Sequence, residues 1–139
     1  MQHPITQGSA LDDLEISSVD AEKMKTMAVI LRDPNPIHWD VDLVRELGMG
    51  DRVVNQGPNN MAYLVELLAR NFGGEDQIVN LKVRFLANVF SGDRLIAGGV
   101  VNDVRAAGRA RLAEVELWLR RDGNEHDLVM SGTAHVRLA

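Results

Sequence analysis

An aspartate and a histidine, two side chains able to move protons, stand five positions apart in the stretch Asp33-Pro34-Asn35-Pro36-Ile37-His38. Each proline holds its own φ at about −65° and pushes the residue before it out of the helical region. The stretch therefore cannot run as a continuous helix, and Asp33 and His38 can turn toward one point in space. Two such groups converging on one water make a general acid–base pair. The plainer alternative is a loop in which Asp33 caps a helix and His38 is an ordinary surface residue, since Asp, Asn and Pro are common turn formers.

The elements that would position this pair can be read on either side of it. Leu14 to Ser17 reads as a short strand, and Ser18 as the N-cap of a helix with Asp20 and Glu22 in its first turn, where carboxylates suit the helix dipole. Met24, Met27, Ala28 and Leu31 recur at helical spacing, and the helix must stop near Arg32, because Asp33 precedes a proline. A second short helix is expected over Val41 to Leu47, ending at Gly48. Val53-Val54-Asn55-Gln56-Gly57-Pro58 then leads from an extended piece into the longest helix, about Asn59 to Phe72. Its apolar residues run nearly all the way round, so it should be buried on most sides.

From Ile78 the period becomes two, with Val79, Leu81, Val83 and Phe85 alternating with polar residues. Further strands are expected over Arg94 to Val104, Leu112 to Arg120 and Leu128 to Leu138, with turns at Phe90 to Asp93, Arg105 to Gly108 and Asp122 to Asn124. Gly98-Gly99 should mark a bulge or a close approach. Long strands joined by short turns must be antiparallel. One apolar helix and such a sheet are best buried by wrapping the sheet around the helix, an α+β solution in a single domain over residues 1–139.

With these elements in place the chain resembles the MaoC-like hydratases and dehydratases. This hot-dog-fold group includes the (R)-specific enoyl-CoA hydratases and the dehydratase subunits of mycobacterial long-chain fatty-acid synthesis. Four features carry the resemblance: Asp33 to His38 with Asp40 after it; the apolar pair Val53-Val54 before the central helix; the turn Val89-Phe90-Ser91-Gly92-Asp93; and the ending Gly132-Thr133-Ala134-His135-Val136. The family usually has His-Gly before the central helix, and here Asn55-Gln56-Gly57 stands in its place.

The resemblance implies reversible hydration of a trans-2-enoyl thioester to an (R)-3-hydroxyacyl thioester, with Asp33 as base and His38 orienting the water and passing the proton. It also implies that a backbone N–H at Gln56 or Gly57 supports the thioester oxygen, with Asn55 and Asn35 beside the site. Were Gln56 the donor, only its backbone would matter and truncating its side chain should be mild. Asn35 itself reads more as a turn former than as a substrate contact. Coenzyme A or acyl carrier protein would carry the acyl group, and Lys82, Arg84, Arg105, Arg109 and Arg111 are candidates for coenzyme A phosphates, or equally an ordinary charged surface. No cofactor is implied. A dimer is, with a second copy or with a related hot-dog chain.

Two other functions are weighed on the same residues. A hot-dog thioesterase would place its carboxylate on or near the central helix, where Glu66 is the one candidate. A non-catalytic subunit of a heteromeric hydratase would be expected to lack the Asp–His pair. The remaining features narrow the field. Cysteine is absent, so there is no disulfide, thiolate nucleophile or Cys-ligated metal, which suits a cytoplasmic protein. His3, His126 and His135 form no convincing metal set. A net charge of −5 argues against a nucleic-acid partner, no apolar run reaches membrane-spanning length, and Met1 to Ala10 lacks the apolar core of a signal peptide.

Overall fold

The computed structural model of the chain describes residues 3–138. In chain order the elements are β1 (Leu14–Ile16), α1 (Ala21–Leu31), a 3-10 turn (Pro36–His38), α2 (Val41–Glu46), α3 (Gly57–Phe72), a second 3-10 turn (Glu75–Gln77), β2 (Ile78–Phe85), β3 (Leu95–Ala107), β4 (Ala110–Arg121) and β5 (Leu128–Leu138). The strands form one sheet in the order β1-β3-β4-β5-β2, and every neighbouring pair is antiparallel. Helix α3 packs against this sheet, as the periodicities predict. Leu64, Leu67 and Leu68 of α3 meet Ala97, Val115, Leu117 and Ala134 of the sheet in one core.

The buried stripe of α3 is Asn60, Leu64, Leu67, Leu68 and Asn71, so a polar residue closes each end of an apolar face. Both ends are satisfied, as buried amides must be. Asn60 Oδ1 accepts from the Asn55 side chain at 2.7 Å, and Asn71 exchanges hydrogen bonds with the backbone of Asp12 at 2.8 and 3.0 Å. Met61, Val65 and Phe72 lie on the margins of this face, half-buried.

Several boundaries differ from the sequence expectation. The N-cap of α1 is Asp20, whose carboxylate accepts from the Glu22 N–H, and Ser18 lies outside the helix. Helix α3 begins at Gly57 because Pro58 fits the first turn, where its missing N–H leaves no helical bond unmade. Strand β3 runs on to Ala107 and turns at Gly108, which takes a φ of 63°. Its register shift falls between Val101 and Asp103, beyond Gly98-Gly99. Those glycines mark close approach instead: a Cβ at Gly98 would lie 2.5 Å from Trp118 Nε1, and one at Gly99 would lie 2.7 Å from the Glu116 carbonyl oxygen.

Strand β2 is a long edge, and Val79, Phe85 and the following Leu86 are about half exposed on it. Helix α1 buries only Met24 fully and leaves Val29, Ile30 and Leu31 exposed, close to Asp33. Among the described residues no helix is long and apolar enough to cross a membrane.

Candidate active site

Arg32 takes the left-handed conformation that ends α1, and Asp33 follows with its N–H on the Ala28 carbonyl at 3.0 Å. Asp33 Oδ1 then accepts from the Asn35 N–H at 3.0 Å, and Asn35 Oδ1 accepts from the Ile37 N–H at 3.2 Å. These two local bonds are the Asx turns that the Asp-Pro-Asn-Pro sequence favours, and they roll the chain into the 3-10 turn that carries His38. The result is the convergence the sequence suggests: His38 Nε2 lies 3.1 Å from Asp33 Oδ2.

The histidine is held from its other side as well. His38 Nδ1 is 2.6 Å from the Val54 carbonyl oxygen. A carbonyl oxygen can only accept, so Nδ1 carries a proton and Nε2 is the nitrogen presented to Asp33. Backbone pairing reinforces this contact, since the Val54 N–H donates to the Ile37 carbonyl at 2.9 Å. His38 is 7% exposed, and so is not the ordinary surface residue of the plainer alternative. Asp33 keeps 31% of its side chain open.

Val54 leads directly into the start of α3. Within the first turn of that helix Pro58 has no N–H, and the N–H groups of Asn59 and Asn60 turn back to the Gln56 carbonyl at 3.1 and 3.2 Å. Among the described residues the N–H groups of Gln56 and Gly57 are then without a partner; Gln56 is fully buried and Gly57 is not, so Gly57 presents the open donor where helix N-termini attract negative charge. A Cβ at Gly57 would stand 3.3 Å from the ring of Phe85, so glycine lets that ring close over the helix start. The Asp33–His38 pair is linked to this helix start through Val54, whose carbonyl holds His38 and whose chain leads into α3.

Comparisons with known proteins bear on the family and the fold. A family model described as the MaoC like domain matches residues 5–118. The chain belongs to the MaoC-like family. Among solved structures, it is similar to the (R)-hydratase from A. caviae involved in PHA biosynthesis, with 21% identity, complete coverage of both chains and a TM-score of 0.82. It is also similar to a chain of the ChsH1-ChsH2 complex from Mycobacterium tuberculosis, with 16% identity over 99% of this chain and all of that one and a TM-score of 0.79. A third likeness is to the HadBC (3R-hydroxyacyl-ACP dehydratase) complex from the same organism, with 20% identity over 96% of this chain and 98% of that one and a TM-score of 0.71. At these identities the likenesses establish a shared hot-dog fold. A comparison with curated proteins finds no match.

In this MaoC-like domain the residues at the unusual Asn55-Gln56 step are turned inward. The Asn55 N–H donates to the Val89 carbonyl at 2.7 Å, and its amide joins Asn60 and Asn59. Gln56 is fully buried: its Nε2 donates to the Met24 carbonyl of α1 at 2.7 Å, and its Oε1 accepts from Asn59 at 2.9 Å. A side chain expected to be idle is therefore a strut between α1 and α3. Nothing in the sequence pattern signals this beyond a long amide standing where glycine is usual.

Two depressions flank α1. One of about 400 Å³ is lined by Asp33, Trp39, Val29, Ala28 and Lys25. The other, about 470 Å³, lies between α1, β1 and α3, with Met27, Asn55, Asn59, Tyr63 and Glu66 on its walls. Burial raises the Tyr63 phenol above its ordinary pKa, against the opposing hydrogen bond from Asn55 and with help from the charges of Asp20 and Glu66. Trp39 is 41% exposed and so is not a core residue.

The basic candidates do not gather at the dyad. Lys82 and Arg84 pair in register with Thr133 and Ser131 on the sheet face turned away from α3. Arg111 shares a hollow with Phe72 and Gly73 at the far end of α3, about 24 Å from its start at 1.5 Å per residue. Arg105 and Arg109 flank the same hairpin. Of the other histidines, His135 bonds Asn80 at 3.0 Å on the outer sheet face, and His126 is exposed beside Glu125. Asp40 caps α2. Among the described residues no group of three or more His, Asp or Glu side chains is placed to hold a metal ion.

Proposed function

We propose that the chain, acting as a single hot-dog domain, catalyses the reversible hydration of a trans-2-enoyl thioester to an (R)-3-hydroxyacyl thioester. The observation that carries this reading is the 3.1 Å approach of His38 Nε2 to Asp33 Oδ2, with His38 held by Val54 on the segment that leads into α3. Asp33 and His38, in contact with each other, both reach one water at their open side. Asp33 takes a proton as the water oxygen bonds to C3, His38 orients the water and relays the proton, and C2 receives it, so the pair ends as it began. The Gly57 N–H, aided by the partial positive charge of the α3 terminus, stabilises the thioester oxygen as it gains enolate character. Coenzyme A or acyl carrier protein carries the acyl group, and the setting is fatty-acid or related lipid metabolism in the cytoplasm.

The thioesterase alternative gains nothing from Glu66. That residue pairs with Arg70 along the exposed flank of α3, about 13 Å up the helix from Gly57 at 1.5 Å per residue. The open edge of β2 and the apolar residues on it support a dimer, since unpaired strand edges invite pairing. ChsH1-ChsH2 and HadBC are heteromeric complexes, so the partner is either a second copy or a related hot-dog chain.

One assay separates the readings. The pure protein is incubated with crotonyl-CoA and longer enoyl-CoAs while enoyl absorbance and free thiol are followed together. Loss of absorbance without thiol is the expected result. Thiol release would instead mark a thioesterase, and neither change with any acyl group, alone or with a partner chain, would refute hydration.

A further inference from the structure

Asp93 is the one buried carboxylate among the described residues. It sits at the surface turn between β2 and β3, where a chain reversal alone does not require a buried charge. Its Oδ2 accepts from the Phe90 N–H at 2.9 Å and from Arg121 Nε at 3.0 Å, and its Oδ1 accepts from Arg52 Nη1 at 2.8 Å. Both arginines also reach the backbone of the turn: Arg52 Nη1 donates to the Ser91 carbonyl at 3.0 Å, and Arg121 Nη2 donates to the Asn88 carbonyl. Burial alone would raise the Asp93 carboxyl, but the Phe90 N–H and the two guanidiniums outweigh it and hold the group below the usual carboxylate range. The turn from Asn88 to Asp93 is thereby gathered onto one anion.

What the clamped turn does next is template the residues beside the dyad. The Ser91 N–H donates to the Val53 carbonyl at 3.0 Å, the Asn55 N–H donates to the Val89 carbonyl at 2.7 Å, and Val54 bridges Phe90. Val54 is the residue whose carbonyl holds His38 Nδ1. On its other side the same turn pairs with Val19, just before α1, through Val19 N–H to the Asp93 carbonyl at 2.9 Å and Gly92 N–H to the Val19 carbonyl at 2.8 Å. The helix so anchored carries Asp33 at its far end.

We propose that Asp93, with Arg52 and Arg121, is a positioning residue for the Asp33–His38 pair. By fixing the Val54 carbonyl it sets which imidazole nitrogen carries the proton and which one faces Asp33. The physical basis is that hydrogen bonds weaken steeply with misalignment. If the turn relaxes, the Val54 oxygen no longer holds Nδ1–H, the Nε2–H tautomer becomes competitive, and the ring is free to rotate away from Asp33. The kinetic part of this inference rests on the hydratase reading above; the proton on His38 does not.

The test therefore has two arms on the full-length chain. With ¹⁵N-labelled histidine, two-bond proton–nitrogen spectra report the tautomer of each ring, and the His38 signals are identified by their loss in His38→Gln. The wild type should show His38 with Nδ1 protonated. Asp93→Asn should move these signals toward a tautomer mixture and lower kcat by about 10- to 100-fold, the scale of a displaced general acid–base group, with KM changed by less than about threefold. Arg52→Gln, at a side chain about half exposed, should fold normally and shift both readouts in the same direction by less. It carries the test if Asp93→Asn does not fold. A merely structural role would lower thermal stability and leave the His38 tautomer and kcat where they were, and that result would overturn the proposal. If the wild type turns over no enoyl thioester, the hydratase reading fails, and the His38 spectra alone decide the clamp.

Discussion

Replacing Gln56 by alanine should destabilise the fold by about 2 kcal/mol, although the backbone it leaves behind is unchanged. The change removes two buried hydrogen bonds, to the Met24 carbonyl and from Asn59. Each is worth about 1 kcal/mol net. It also removes one buried methylene, about 0.8 kcal/mol, and leaves a void of amide size that adds on the order of 1 kcal/mol if the site does not collapse. Against these losses stands about 1.5–2 kcal/mol of side-chain entropy that alanine need not surrender. The orphaned groups are not wholly abandoned. Met24 lies inside α1, where its carbonyl accepts a helical bond, and Asn59 Nδ2 keeps Asn55. The balance, about 2 kcal/mol, corresponds to a fall in Tm of roughly 6–10 °C for a domain of this size.

Thermal and urea unfolding followed by circular dichroism measure this directly, and Gln56→Met separates the contributions. Methionine refills the space but restores neither hydrogen bond, so its loss should fall between wild type and alanine. Because the strut joins the helix carrying Asp33 to the helix carrying Gly57, kcat should fall with stability. A Gln56→Ala protein within about 1 °C of the wild-type Tm would refute the strut and return Gln56 to a backbone role.

Four further outcomes follow from the same geometry. Asp33→Asn and His38→Ala should each lower hydration turnover by about 100-fold or more, and His38→Ala should also lose about 1–3 kcal/mol in urea titrations because it strands the buried Val54 carbonyl. Gly57→Pro deletes the free N–H and should abolish activity, while Gly57→Ala asks the exposed Phe85 ring to yield a few tenths of an ångström and should spare much of it; a folded, fully active Gly57→Pro would exclude Gly57 as donor. The Asp93 carboxyl is held below its unfolded pKa of about 3.9, so its contribution is complete above that value and is lost as pH falls toward the lower folded one; wild type should lose more stability than Asp93→Asn between pH 6 and pH 3 in urea titrations. Sedimentation equilibrium should give a dimer or larger species, alone or with a related chain, and a fully active monomer of 15.4 kDa would contradict the role given to the β2 edge.

What the sequence determined by itself is local. Two prolines and two short polar side chains dictate a broken, turn-forming stretch, and the Asx bonds of Asp33 and Asn35 realise it with no help from distant residues. Periodicity of two and of 3.6 made the long strands and α3 legible, because those periods report which face is buried. The α+β architecture follows from having one apolar helix and one amphipathic sheet to cover.

The contacts that finish the site are non-local, and no spacing rule reports them. His38 finds its second partner 16 residues away on Val54, and Gln56 finds Met24 32 residues away. Asp93 collects its guanidiniums from Arg52 and Arg121, 41 and 28 residues away. A buried histidine, a buried amide and a buried carboxylate look like surface residues in a sequence, because polarity is read there as exposure. Only the packed structure shows whether each has partners enough to leave water. One boundary has the same origin: backbone pairing of Val19 with Asp93 and Gly92 fixes the chain just before α1, and Asp20 rather than Ser18 caps the helix.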